Sequence, residues 1–135
     1  MLDISAFYHD FIKPNLVSRG YTLPERAAFN RLPPSSHSIV ALSDVTGLAL
    51  EMQDKLDNPG VQITVRSKPN RAQEARDLIN AIDAIVLDAS LRPFTLDERL
   101  VLTTGRMGSG PIYFDTDDHN RTLYFVTYWL TIQAF

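Results

Sequence analysis

Three stretches of this 135-residue chain carry residue types able to do chemistry, and each also has a plainer reading. The first is "FDTDDHNR", which brings Asp115, Asp117, Asp118 and His119 close together. Clustered carboxylates suit hard cations such as Mg²⁺ or Ca²⁺, but an EF-hand loop needs glycine at its sixth position and glutamate at its twelfth, and neither is present. Asp, His and Asn are also the residues a turn would use between "PIYF" and "TLYFV". A hairpin tip is the preferred reading. The second stretch, "GRMGSGP", offers Gly105, Gly108 and Gly110 but lacks the lysine of a phosphate-binding loop, and Pro111 and a strand follow where a helix should open. It reads as a loop, able to serve as an interface arm that orders on assembly. The third candidate, Ser36, His37 and Asp44, has no nucleophile-elbow context for acyl transfer. His9, His37 and His119 are scattered, and no cysteine is present to complete a metal site with them. No catalytic, cofactor-binding or metal-binding residue is therefore assigned, and the chain reads as a non-enzyme without a cofactor whose product is its own surface.

Composition supports a folded domain. Hydrophobic residues make up 44% of the chain and charged residues 21%, which is ordinary for a globular protein. The length suits a single α+β domain over 1–135. A formal charge of −3 argues against a dedicated nucleic-acid binder, which carries a basic excess. Among the cations only Lys13, Lys55 and Lys68 are lysines. Arginine's planar fork suits ion pairs across protein contacts. The absence of cysteine fits a reducing compartment. "MLDISAFYHDFIKPN" has acids at Asp3 and Asp10 and no basic leader, so it matches a secretion signal poorly. No apolar run approaches the roughly 18 residues a membrane span requires, so no membrane partner is expected.

The elements that must position these residues follow from hydrophobic period. Ile4, Phe7, Tyr8, Phe11 and Ile12 form a helical stripe, with Asp3 as cap and Pro14 as stop, which predicts a helix over about 3–13. "RAAFNRLPPSSHSIVALSD" reads as two extended pieces around a bend, while "VTGLALEMQDKLDNPG" fits either a short helix or a crossing loop. Val61, Ile63 and Val65 alternate with Gln62, Thr64 and Arg66, the pattern of a half-buried strand. Arg66 then projects on the solvent side, as an ordinary exposed arginine or one paired with an acid of a neighbouring subunit. Asn70 and Gln73 stand at capping-box positions. Ala75, Leu78, Ile79, Ile82, Ile85, Val86 and Ala89 make the apolar face of a helix over about 71–89. After Pro93 the chain reads as β: "RLVLTTGR", "PIYFDT" and a long "TLYFVTYWLTIQAF". From Thr122 to Ala134 that strand would reach roughly 40 Å, far beyond the usual ~5–6 residues. Either it bends or it continues past its own sheet toward a neighbour. Leu123, Phe125 and Trp129 on its second face favour a covered surface.

Three successive blocks carry a resemblance: "NRLPPSSHSIVALSDVTG", "PGVQITVRSKPNRAQEARDLINAIDAIV" and "GPIYFDTDDHNRTLYFVTYWL". Their order resembles the small tail-terminator and minor capsid (head–tail joining) proteins of long-tailed bacteriophages. Leu32 and Pro33, Asp44 and Gly47, Val61 to Arg66, Pro111, Asp115 to Arg121 and Tyr128 stand at the corresponding places. The glycine loop Gly105 to Gly110 and the bend Pro34 to Ser36 lie outside the pattern. The resemblance implies an α+β fold, mainly an antiparallel sheet packed against two helices. It also implies a virion protein of the neck, assembled in the host bacterial cytoplasm. There it would cap the tail tube as a homo-oligomeric ring, typically a hexamer, and join it to the head connector. Its partners would be itself, the tail tube protein and the connector, with DNA passing through without specific binding. The candidate subunit-interface residues are Arg66, Asp115, Asp117, Arg121, Phe125 and Trp129. The alternatives are another neck or minor capsid protein of the same fold, or a small metal-dependent enzyme or ligand-binding domain built on Asp115 to His119.

Overall fold

A computed structural model describes residues 7–21, 25–26, 39–51, 56–88, 94–96, 99–106, 108 and 110–133. Among the described residues two helical elements pack on one sheet, so the architecture is the expected α+β. Helix α1 opens as a π-helical segment, Phe7–Ile12, and runs on as an α-helix over Lys13–Ser18. Helix α2 spans Ala72–Asp88. The strands are β1 (Glu25–Arg26), β2 (Ile39–Glu51), β3 (Leu56–Arg66), β4 (Phe94–Leu96), β5 (Arg99–Arg106), β6 (Ile112–Thr116) and β7 (Thr122–Gln133). Their order is β1-β2-β3-β7-β5-β4, with β6 also beside β7. Every pairing is antiparallel except β1 with β2.

Helix α1 corrects the expected 3–13 boundary at its C-terminal end. Pro14 does not stop it, because it sits in the first turn of the α-helical part, where its missing N–H is not needed. The stop comes at Gly20, whose φ of 81° is the left-handed conformation glycine adopts freely. The predicted stripe is buried at Phe7, Tyr8 and Ile12, and Leu16 extends it. Ile4 lies outside the described residues. Asn70 is also not the cap expected for α2. It takes a left-handed φ of 60° in a turn, and its N–H donates to the Asn120 carbonyl at 2.9 Å. The Arg71 carbonyl accepts the first helical bonds, from Glu74 and Ala75. Gln73 donates instead to Asp77 one turn on.

The segment left open between helix and loop is strand on both sides of residues 52–55. It completes β2 and begins β3, with two register irregularities between Val45 and Glu51. The long last strand is explained inside its own sheet. On one edge β7 pairs with β3 from Leu123 to Gln133. On its other edge the N-terminal part pairs with β6 and the C-terminal part with β5. Two shorter strands laid end to end need one long partner, so no overhang toward a neighbour is required.

One cluster fills the space between sheet and helices. Val61, Ile63 and Val65 of β3 face the same side as Val126, Tyr128, Leu130 and Ile132 of β7, and α2 covers them with Leu78, Ile79, Ile82, Ile85 and Val86. Fully burying each such aliphatic side chain contributes about 1.5–3 kcal/mol, which outweighs the weak helix propensity of isoleucine and valine. The carbonyls of the last helical turn lack intrahelical partners, and Thr104 supplies one. Its buried hydroxyl donates to the Val86 carbonyl at 2.7 Å. Thr104→Val keeps the shape and strands that carbonyl, so it should cost roughly 1–2 kcal/mol. A urea titration would show the loss as a lower midpoint at unchanged slope.

Candidate functional site

The residues singled out from the sequence fall into two groups. Arg66, Phe125 and Trp129 lie on the sheet face opposite α2, since Arg66 stands across from Leu123 and Thr64 across from Phe125 in one register. Asp115, Asp117 and Arg121 belong to the β6–β7 hairpin.

The hairpin tip is a built turn. The Asp117 N–H donates to the Arg121 carbonyl at 3.0 Å, and Asn120 closes the loop with a φ of 59° and an N–H to the Asp117 carbonyl. Asp117 Oδ1 accepts from the backbone N–H groups of His119 (2.9 Å) and Arg121 (3.0 Å), while Oδ2 accepts from Arg121 Nε at 2.7 Å. Both carboxylate oxygens are engaged, which suits a turn better than a cation. Among the described residues no group of three or more His, Cys, Asp or Glu is placed to hold a metal. Desolvation works to raise the Asp117 carboxyl, but the Arg121 amide and guanidinium, then the His119 amide and the Arg121 charge, outweigh it and hold the group below its ordinary value. A depressed folded value means the turn's contribution is complete above the free-aspartate pKa of 3.8 and is lost as pH falls through the lower one. An NMR titration of the His119 and Arg121 amides should therefore show a midpoint below 3.8, and Asp117→Asn should abolish it.

Asp115 is exposed, and its Oδ1 accepts the Thr116 N–H at 2.8 Å. Arg66 is the correction. It is only 4% exposed, not the solvent-facing side chain that alternation predicted. Alternation assigns a residue to a face and says nothing about what else covers that face. Ser67, next in line, is fully buried and knits β3 to β7: its N–H donates to the Thr122 carbonyl, and its hydroxyl accepts the Thr122 N–H at 2.9 Å.

The second face of β7 is half-buried throughout, at Leu123, Phe125, Thr127, Trp129 and Thr131. Phe125 meets Phe114 of β6 edge to face, with ring centroids 5.8 Å apart. Trp129 lies directly over Gly105, where an added Cβ would come within 2.6 Å of the indole. Gly105 is thus a strand residue that makes room for an aromatic ring, not part of a mobile arm. Beside this face, β6 presents Ile112 and Phe114, 43% and 65% exposed, while Tyr113 between them, 54% exposed, meets Tyr124 on the other face. Sequence reading missed their exposure, because "PIYF" is as apolar as any core strand. The available signal was contextual: a short strand between a glycine-rich loop and an acidic turn often runs along a sheet edge. The other missed group is internal. Asp83 stands outside the apolar stripe of α2, yet its Oδ1 accepts the Tyr128 hydroxyl at 2.8 Å and lies 3.7 Å from Arg106 Nε. Burial, with the Asp83 hydrogen bond and charge, pushes the Tyr128 phenol far above its usual range against the opposing Arg106 charge. Tyr128 therefore stays a neutral donor.

None of these groups sets a nucleophile beside a base, and none of the described helices is long and apolar enough to cross a membrane. What the geometry offers is surface: an aromatic sheet face, an exposed edge strand and a rigid acidic turn. No curated protein matches the chain. A family described as "Bacteriophage tail terminator protein" matches residues 18–134, nearly the whole of it. The chain belongs to the bacteriophage tail terminator protein family.

Proposed function

We propose that the protein closes the phage tail tube as a ring of its own copies, probed most simply as a hexamer, and presents the ring's other face to the head connector. Membership of the family makes it a structural protein of the phage tail, located in the virion and in contact with tail and head components. The finer reading rests on one observation, the exposed run Ile112, Tyr113 and Phe114 on β6, whose Phe114 meets the half-buried Phe125. Exposed apolar surface of this kind marks contact sites. Two different edges meeting around a closed ring need no patch that pairs with itself. In this reading the subunit contact is drawn from Phe125, Trp129 and Arg66 on the sheet face and from Asp115, Asp117 and Arg121 at the hairpin. Arg66, being buried, would act through the strand pair it supports. The net charge of −3 suits a lumen through which DNA slides without being held. Assembly would take place in the host cytoplasm from a single-domain subunit.

The test is solution mass by light scattering across concentration, with negative-stain imaging, for the protein alone and with purified tail tubes. Ring-shaped species, free or at tube ends, are expected. A subunit that stays monomeric with tubes present, and leaves their ends uncapped, would overturn the ring reading and favour another neck component of the same fold. Phe114→Asp should leave the melting temperature within a few degrees, because Phe114 is 65% exposed. It should weaken assembly by about tenfold or more, the usual effect of losing an aromatic anchor. Unchanged assembly would remove β6 from the contact.

A further inference from the structure

One arginine ties the loop between β5 and β6 to the interior. Arg106 is the last residue of β5 and stands opposite Tyr128. From Arg106 to Ile112 the chain advances six residues, while their partners on β7, Tyr128 and Phe125, are only three apart. Three extra residues are therefore looped out before β6 resumes the same edge. The guanidinium lies between two anchors. On one side its Nε is 3.7 Å from Asp83 Oδ1, the oxygen that also accepts the Tyr128 hydroxyl. On the other it packs on Gly110, where an added Cβ would collide with Nη1 and come 3.4 Å from Cζ. The Gly110 backbone is not in the left-handed region, so what this glycine supplies is room for the arginine. The pair is sheltered, with the Asp83 side chain 13% exposed and that of Arg106 33%. Beyond it, every residue of β6 is exposed, and among the described residues β7 is its one strand partner.

A five-residue edge strand with no buried side chain should fray readily on its own. We propose that Asp83, Tyr128 and Arg106 form a latch: α2 holds Arg106, Arg106 holds the returning loop at Gly110, and the position of β6 is thereby set from the core. The latch turns Ile112, Tyr113 and Phe114 from a fraying edge into a fixed surface. Releasing it lets β6 peel from β7 while the rest of the sheet stays paired. These contacts lie within one chain, so the latch stands or falls independently of the ring.

Hydrogen exchange read by mass spectrometry on the full chain tests it, using Arg106→Gln, Asp83→Asn and the double variant. Each single change should speed exchange across 112–116 by about fivefold, as expected for a partly sheltered ion pair. Exchange in β3 should not change, and the double variant should be no faster than the faster single one. Unchanged β6 protection, equal acceleration in every strand, or additive effects in the double variant would each overturn the latch. Asp83→Asn also touches Tyr128, so Gly110→Val provides a second route that displaces the guanidinium and spares both partners. It should accelerate β6 alike, and a fully protected β6 in that variant would overturn the proposal.

Discussion

Ile82→Asp is expected to abolish the cooperative thermal transition. Ile82 is fully buried at the centre of the α2 face that covers β3 and β7. The substitution removes a buried aliphatic side chain, worth about 2–5 kcal/mol with its cavity. It also places an unpaired carboxylate within the buried core cluster, adding several kcal/mol more. Together these approach or exceed the ~5–15 kcal/mol that holds a domain folded. Ile82→Val, by contrast, should cost only about 0.5–1.5 kcal/mol and melt cooperatively. Far-UV circular dichroism on the two variants separates the outcomes. A cooperative melt near the parent temperature for Ile82→Asp would mean that α2 packs through a different face.

Gly105→Val should be strongly destabilising although it removes no side chain. A Cβ at this position would come 2.6 and 2.7 Å from Trp129 Cζ2 and Cε2, and 3.0 Å from Nε1. An indole is rigid, so the whole ring must swing away or the β5–β7 pair must open. Overpacking of this kind costs roughly 3 kcal/mol when no small adjustment relieves it. The chain has one tryptophan, so its fluorescence reports this site alone. A red-shifted emission and a lower denaturation midpoint are expected together. Gly108→Ala makes the contrast: its φ of 80° strains alanine, but nothing lies within 4 Å of the added carbon. That change should cost about 1 kcal/mol and leave the emission maximum in place. If Gly105→Val kept the parent fluorescence and stability, the indole would not be seated over β5.

These two glycines show why the glycine-rich stretch was only partly legible. In the sequence Gly105, Gly108 and Gly110 are equivalent punctuation. In the fold Gly105 yields space to a ring, Gly108 supplies a left-handed turn and Gly110 yields space to Arg106. Each role depends on what the neighbouring strand or helix brings to that point, which no local window contains.

By itself the sequence determined the α+β class, the apolar face of α2, the alternation in β3, the late β segment and the turn at Asp117 to Arg121. Each of these rests on a short-range pattern: a period of 3.6, a period of 2, or a turn residue beside its own amides. The ordered blocks from Leu32 to Tyr128 also carried the family. Tertiary structure alone decided that Arg66 is buried, that β7 is long because β5 and β6 share its edge, and that Asp83 turns inward to Tyr128 and Arg106. It also decided that Ile112, Tyr113 and Phe114 stay exposed. The physical reason is the same in each case. Periodicity sorts side chains onto faces, but whether a face is covered and which charge meets which depend on strand order and register, and those are set by contacts between residues far apart in the chain.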